Sequence, residues 1–205
     1  MQQTQARVNI YALLSRVLLQ ELDLKLLKTI KNDENILEFF PTFKDWKALK
    51  ELSDEKLIEE VINPDFVNLS VLHLIPYETF YTRDDQMVET GGANPVTDMY
   101  SAYDFMVDFE KARTVSADHI GVELEFMHHL ATAELKAQEA DDKKAADELK
   151  EVQHEFLNKH LLRWAPMYLI NLKYEARTPL YYDAADLALE FILSDNEYLT
   201  EELKK

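Results

Sequence analysis

Cysteine is absent from the 205 residues of this chain, and glycine occurs only three times. Without cysteine the chain has no disulfides, thiolate metal ligands or cysteine nucleophiles. So few glycines leave few positions for the positive φ angles that hairpin turns and phosphate-binding loops need. These absences argue against Rossmann, P-loop and β-sandwich folds. They are also consistent with a reducing compartment, so we expect a cytoplasmic protein.

Basic residues are scarce as well, since 22 Lys and Arg stand against 39 Asp and Glu, for a net charge of −17. A surface this acidic repels phosphate backbones and anionic lipids, so we expect no nucleic-acid partner and no stable membrane insertion. It would attract a basic peptide, although acidity also serves simply to keep a protein soluble. No run reaches the roughly 18 apolar residues of a membrane span, and the polar start predicts no signal peptide.

Apolar residues at helical spacing run through most of the chain and predict an all-α fold. We expect a single-domain bundle of about ten helices over residues 1–205. Residues 118–140 and 142–164 are predicted to form two long helices. A turn at Asp141-Asp142 would make them antiparallel, and without that turn the second helix would continue the first. The longest interruption of the pattern is at residues 75–95, which contain two of the three glycines and have no helical period. A connection of this length is often functional.

Two helix ends are predicted from local signals. Asn63-Pro64 should end the helix that Ser53 begins, because proline disfavours helical geometry in the residue before it. The last helix should begin at Thr178-Pro179 and run through Leu193. Residues 195–205 then form a charged tail that is prone to fraying.

One motif of the irregular segment is suited to peptide contact. Its sequence is Pro76-Tyr77-Glu78-Thr79-Phe80-Tyr81. Tyrosine presents a large amphipathic face and loses little rotamer entropy on binding. An equally well supported interpretation is that these rings pack the segment onto the core.

Two Glu-x-x-His motifs allow an alternative function. Glu125/His128 and Glu151/His154 each place both side chains on one helix face. Di-iron and di-manganese bundles use two such motifs, together with one Glu from each of two other helices. Here the two glutamates would sit about 9 Å out of level at 1.5 Å per residue, and the first helix offers no acid on its apolar face. A solvated acidic face is the favoured interpretation.

Five short motifs, in this order along almost the whole chain, resemble a known family. They are Tyr11-Ala12-Leu13-Leu14-Ser15; Pro76-Tyr77-Glu78-Thr79-Phe80-Tyr81; Asp118-His119-Ile120 with Glu123-Leu124-Glu125-Phe126-Met127; Phe156-Leu157, His160-Leu161 and Trp164; and Leu180-Tyr181-Tyr182 with Ala185 and Leu187. The chain resembles the TorD/DmsD/NarJ family, the cytoplasmic maturation chaperones of molybdenum oxidoreductases. It departs from that pattern at Ala117, where the family often has proline.

The resemblance implies an all-α chaperone of the kind that serves anaerobic respiration, with no catalytic activity, metal or cofactor of its own. Its partner would be the catalytic subunit of a molybdopterin oxidoreductase, usually bound through a twin-arginine signal peptide. Such chaperones hold that subunit until cofactor insertion is complete and then allow export. Some members serve subunits without a cleaved leader. The oligomeric state is expected to be a monomer or a domain-swapped dimer.

The resemblance also nominates a peptide-binding site. Carried over by position, it comprises Tyr77, Glu78, Tyr81, Asp118, His119 and Glu123. The aromatic rings would accept the apolar segment of the leader. One of the three carboxylates would meet an arginine through charge-assisted hydrogen bonds.

Overall fold

Helices account for the regular secondary structure of the protein in a computed structural model that describes residues 1–204. No strand occurs in that part of the chain, which confirms the all-α prediction. The α-helices in chain order are α1 (Gln2–Leu19), α2 (Leu24–Asn32), α3 (Glu34–Leu37), α4 (Pro41–Lys44), α5 (Ala48–Glu51), α6 (Asp54–Lys56), α7 (Asn63–Val67), α8 (Glu78–Thr82), α9 (Thr97–Ala102), α10 (Phe109–Ala112), α11 (Ile120–Glu139), α12 (Lys143–Phe156), α13 (Leu162–Glu175) and α14 (Pro179–Glu202).

Three π-helical stretches join some of these helices end to end. Leu57–Ile62 connects α6 to α7, Asn68–His73 extends α7, and Leu157–Leu161 connects α12 to α13. The prediction that Asn63-Pro64 ends a helix is therefore wrong. Pro64 lies in the first turn of α7, directly after a π-helical stretch. The missing N–H of proline is tolerated in a first turn, and π turns interrupt the regular hydrogen-bond ladder.

The chain divides into two compact units. Unit 1 contains Met1–Leu19, Pro76–Pro166 and the described residues from Phe191 onward, and unit 2 contains Gln20–Ile75 and Met167–Glu190. Each unit has its own buried apolar side chains, such as Tyr11, Leu14, Phe126 and Phe156 in unit 1 and Leu27, Phe43, Leu57 and Tyr181 in unit 2. A single domain over residues 1–205 stays a prediction.

Within unit 1, α1 packs closely against α11. Ser15 Oγ donates to the carbonyl of Gly121 at 2.8 Å, and His128 Nδ1 lies 3.1 Å from the carbonyl of Val8. A Cβ atom at Gly121 would lie 2.6 Å from Cβ of Leu19, so only glycine fits there without movement. This contact fixes the start of α11, where three of the nominated residues lie.

The predicted turn between the two long helices is confirmed. Asp141 has a φ of 57°, and Asp142 accepts a hydrogen bond from the N–H of Ala145 as the N-cap of α12. Phe126 of α11 and Phe156 of α12 pack edge to face with their ring centroids 4.8 Å apart. The two helices therefore form an antiparallel pair, as expected.

The last helix was predicted to end at Leu193, but it continues to Glu202. Asp195 is buried and accepts from Arg7 Nε at 2.5 Å and from the Tyr11 hydroxyl at 2.6 Å. The charged composition of residues 195–205 suggested a frayed tail, but this segment is bound to α1 through buried polar contacts. Lys205, the last residue of the predicted tail, lies outside the described residues.

Candidate peptide-binding site

The six nominated residues all lie in unit 1, where α8 and the start of α11 are joined through the backbone. The N–H of Glu78 donates to the carbonyl of Asp118 at 3.0 Å, and the N–H of Ile120 donates to the carbonyl of Pro76 at 2.9 Å. The prediction that the whole of segment 75–95 is irregular is therefore wrong. It begins with a bridge to residue 119 and the short helix α8, on which Tyr81 lies.

Asp118 is the centre of a buried hydrogen-bond network. Its Oδ2 accepts from the N–H and the hydroxyl of Thr79, at 2.8 and 2.7 Å. Its Oδ1 accepts from Asn94 Nδ2 at 2.9 Å and from the hydroxyl of Ser116. The side chain is inaccessible to solvent and its two oxygens are both occupied. It fastens α8 and the loop after it to the segment that leads into α11.

His119 caps α11 with its imidazole. The side-chain Nδ1 accepts from the N–H of Gly121 at 3.1 Å, which satisfies one of the free donors of the first turn. The ring of Tyr77 packs edge to face against it with the centroids 5.1 Å apart. Burial lowers the pKa of His119 to about 4, although the neighbouring Asp118 opposes this shift. The ring is therefore neutral near pH 7, which suits a position at the positive end of a helix.

Glu78 and Glu123 are buried carboxyl groups beside this cap. Glu78 pairs with His160 Nδ1 at 2.9 Å, and Trp164 Nε1 donates to Glu123 Oε2 at 3.2 Å. Among residues 1–204, Oε1 of Glu123 has no hydrogen-bond partner. Burial, reinforced by the charges of Glu78 and Asp118, raises the pKa of Glu123 well above its ordinary value and favours its neutral form.

The tyrosine rings form the partly exposed side of the site. Tyr81 stacks on Trp164 with the centroids 5.4 Å apart and packs edge to face against Phe80 at 5.2 Å. Burial raises the pKa of Tyr81 to about 12, so its hydroxyl stays protonated. The Tyr77 hydroxyl lies 3.0 Å from Thr114 Oγ1. The site thus presents rings to its surroundings and keeps its carboxylates inside.

Four residues that the sequence did not nominate help to build the site. His160 contacts Glu78, and Trp164 contacts Glu123 and Tyr81. Both residues belong to the Phe-Leu-x-x-His-Leu-x-x-Trp motif, so the sequence could have nominated them. Asn94 and Ser116 bind Asp118, but they lie 24 and 2 residues from it along the chain and follow no periodic pattern.

The residues of the di-metal alternative do not converge. Glu125 and Glu151 are exposed. His128 contacts the carbonyl of Val8, and His154 Nε2 lies 3.0 Å from Thr200 Oγ1. Residues 1–204 contain no group of three or more potential metal ligands among His, Cys, Asp and Glu. Nothing in this geometry favours the alternative.

Comparison with known proteins assigns the chain to a family. Residues 44–169, more than half of the chain, match the model of the nitrate reductase delta subunit family. The chain belongs to this family. The match confirms the resemblance to the TorD/DmsD/NarJ family of molybdoenzyme maturation chaperones. Proteins of this chaperone family are not catalytic enzymes.

Individual relatives of the family agree with this assignment. Chaperone protein TorD of Vibrio cholerae serotype O1 is 28% identical over 159 residues, which cover 76% of this chain and 70% of the relative. Chaperone protein TorD of Vibrio parahaemolyticus is 24% identical over 156 residues, with 74% and 70% covered. Chaperone protein TorD of Vibrio atlanticus is 22% identical over 159 residues, with 76% and 72% covered. Within the described part of this family member, no helix has the length and apolar character to cross a bilayer.

Proposed function

We propose that this chain is a cytoplasmic, system-specific chaperone for the catalytic subunit of a molybdopterin oxidoreductase. It binds that subunit through its twin-arginine signal peptide, assists cofactor insertion and delays export until insertion is complete. The observation that carries the proposal is the clustering of all six nominated residues in one part of unit 1, in a chain that belongs to a chaperone family.

The tyrosines make the apolar contact in this proposal. Tyr77 and Tyr81 are only partly buried. The Tyr77 ring packs against His119, and the Tyr81 ring stacks on Trp164. A ring that is already fixed loses little conformational entropy when a peptide packs against it. The apolar segment of the leader therefore binds across these two rings.

The three acids act mainly by holding the site together. Glu78 is 2% exposed, and Asp118 and Glu123 are 0% exposed. Asp118 fastens α8, Glu78 pairs with His160, and Glu123 positions the Trp164 ring beneath Tyr81. Direct contact between one of these carboxylates and an arginine would require the cluster to open.

The first experiment identifies the client. The tagged chaperone is isolated from its native host, and the proteins bound to it are determined by mass spectrometry. We expect the catalytic subunit of a molybdopterin oxidoreductase, in a form that still lacks its cofactor. Retention of only cofactor-loaded or unrelated proteins would contradict the proposal.

The second experiment tests the site with the fluorescently labelled leader of that client. Tyr81→Ala should weaken binding by about 2 kcal/mol, or roughly 30-fold, because it removes an aromatic anchor that the bound leader would cover. Tyr81→Phe should retain most of the affinity. Tyr174→Ala is the matched control, since that tyrosine lies in unit 2 and is largely exposed. Equal affinities for Tyr81→Ala and Tyr174→Ala, with unchanged circular dichroism, would place the leader elsewhere.

A further inference from the structure

The three carboxyl groups of the nominated site are not accessible to an arginine of the leader. An arginine of the leader needs an ionised carboxylate that it can reach, and the three acids of the site are buried. Exposed carboxylates do occur directly after Tyr81, in the loop that follows α8. This inference rests on the proposed function and concerns how the same site recognises the basic end of the leader.

Two carboxylates of that loop already enclose a guanidinium. Arg83 donates from Nε and Nη2 to both oxygens of Asp85, at 2.9 and 2.6 Å, and from Nη1 to Glu89 Oε2 at 2.6 Å. We call Asp85 and Glu89 the acid pair. Contacts along two edges of a planar fork suit arginine and are poorly matched by the point charge of lysine.

The acid pair is fixed in place by its surroundings. Asp85 Oδ1 accepts from the N–H of Met87 at 3.1 Å, and Glu89 Oε1 accepts from the N–H of Gly91 at 2.8 Å. The N–H of Glu89 donates to Thr79 Oγ1 at 3.0 Å, and Thr79 is itself bound by Asp118. The acid pair is thus connected to the nominated site through one buried side chain.

The internal ion pair is exposed enough to be exchanged. The side chains of Arg83, Asp85 and Glu89 are 39%, 49% and 19% exposed. Ion pairs with this exposure contribute little to folding stability. Replacing one guanidinium by another conserves the hydrogen bonds, so the exchange itself is nearly neutral. Met87 is exposed in the same loop and offers additional apolar contact.

We propose that the acid pair is the receptor for an arginine of the client leader, and that Arg83 occupies it in the free chaperone as an internal competitor. Binding then exchanges the arginine of the chain for that of the leader, while the apolar part of the leader packs on Tyr77 and Tyr81. The loop after α8 becomes the element that distinguishes arginine from lysine.

Two synthetic peptides serve as probes, one with an Arg-Arg pair before an apolar segment and one with Lys-Lys in its place. The double variant Asp85→Asn with Glu89→Gln should weaken binding of the Arg-Arg peptide about tenfold or more and of the Lys-Lys peptide only a few-fold. Asp84→Asn is the matched control, because it removes an exposed charge from the same loop outside the acid pair. It should change either affinity less than about twofold.

Removal of the competing Arg83 side chain should raise the affinity for the Arg-Arg peptide rather than lower it. Arg83→Gln should tighten binding of the Arg-Arg peptide several-fold, since the acid pair is then vacant. Lys136→Gln removes one exposed positive charge from α11 and controls for the change in net charge. A fall in affinity for Arg83→Gln, or a gain no larger than that of Lys136→Gln, would show that Arg83 is not a competitor.

The outcomes separate this inference from the proposed function. Suppose the double variant behaves like Asp84→Asn toward both peptides while Tyr81→Ala still weakens binding. The acid pair is then not the arginine receptor, and the leader site at the tyrosines stands. If the unmodified chaperone binds neither peptide nor the leader of its client, the proposed leader recognition fails together with the inference.

Discussion

His119 combines a backbone cap with a buried, neutral ring. Because burial lowers its pKa to about 4, the folded protein binds fewer protons at this residue than the unfolded chain between pH 6.5 and about 4. Stability from His119 is therefore fully present above its unfolded pKa of about 6.5 and is lost as pH falls through the folded pKa. The shift corresponds to about 3 kcal/mol at most.

The substitution His119→Asn tests this dependence on pH. Asparagine can still cap α11 but does not titrate, so the variant should lose less stability than the unmodified protein between about pH 7 and pH 4. Urea unfolding at several pH values measures the difference. His73→Asn is the control, because it makes the same substitution at an exposed histidine outside the site. Parallel profiles for His119→Asn and the unmodified protein would show that His119 titrates normally.

At the scale of the helical elements, the contact between α1 and α11 depends on the absence of a side chain at residue 121. Gly121→Ala would place a Cβ atom 2.8 Å from Cα of Leu19, and this backbone cannot yield without separating the helices. We expect a loss of about 1–3 kcal/mol in the free energy of unfolding, measured by urea titration. Gly92→Ala is the control, since its Cβ would meet nothing within 4 Å. A neutral Gly121→Ala would mean that the helices pack less tightly than described.

The C-terminal part of α14 depends on a buried charge network. Asp195 bonds Arg7 and Tyr11, while Arg7 Nη1 also donates to Glu134 Oε2 at 2.8 Å. Asp195→Asn leaves part of the guanidinium charge uncompensated in a buried position, so we expect destabilisation of about 3–5 kcal/mol. Hydrogen exchange should also become faster in residues 194–202.

Glu197→Gln provides the comparison for that variant. Glu197 is an exposed acid two residues further along the same helix. Its substitution should change stability by less than about 0.5 kcal/mol. Equal effects of Asp195→Asn and Glu197→Gln would indicate that the contacts of Asp195 contribute nothing beyond its charge.

On the scale of the whole molecule, the net charge of −17 should attract a basic leader if the proposed function holds. The Debye length shrinks from about 10 Å at 0.1 M salt to about 3 Å at 1 M. The affinity and association rate for the leader should therefore fall as salt rises. A leader with citrulline in place of arginine keeps the shape but loses the charge and should show a much flatter dependence. Identical salt slopes for the two peptides would rule out electrostatic attraction to arginine.

The sequence predicted those features that depend on neighbours along the chain. Helical periodicity indicated α11 and α12, and an Asp-Asp pair marked the turn between them. Family motifs brought together Tyr77 and His119, whose rings do lie in contact. Local signals failed where distant residues decide the outcome. Asp195 looked like part of a charged tail because its partners, Arg7 and Tyr11, lie more than 180 residues earlier.

Composition and periodicity by themselves determined the helical class and the acidic character, because both depend on residue type and local spacing. The five ordered motifs carried the resemblance to the family. Only the tertiary structure decided which nominated acids are accessible. Burial and hydrogen-bond partners follow from contacts between remote segments, as when Thr79, Asn94 and Ser116 enclose Asp118. A carboxylate reads the same in sequence whether it faces solvent or, like Asp118 and Glu123, lies in the interior with 0% exposure.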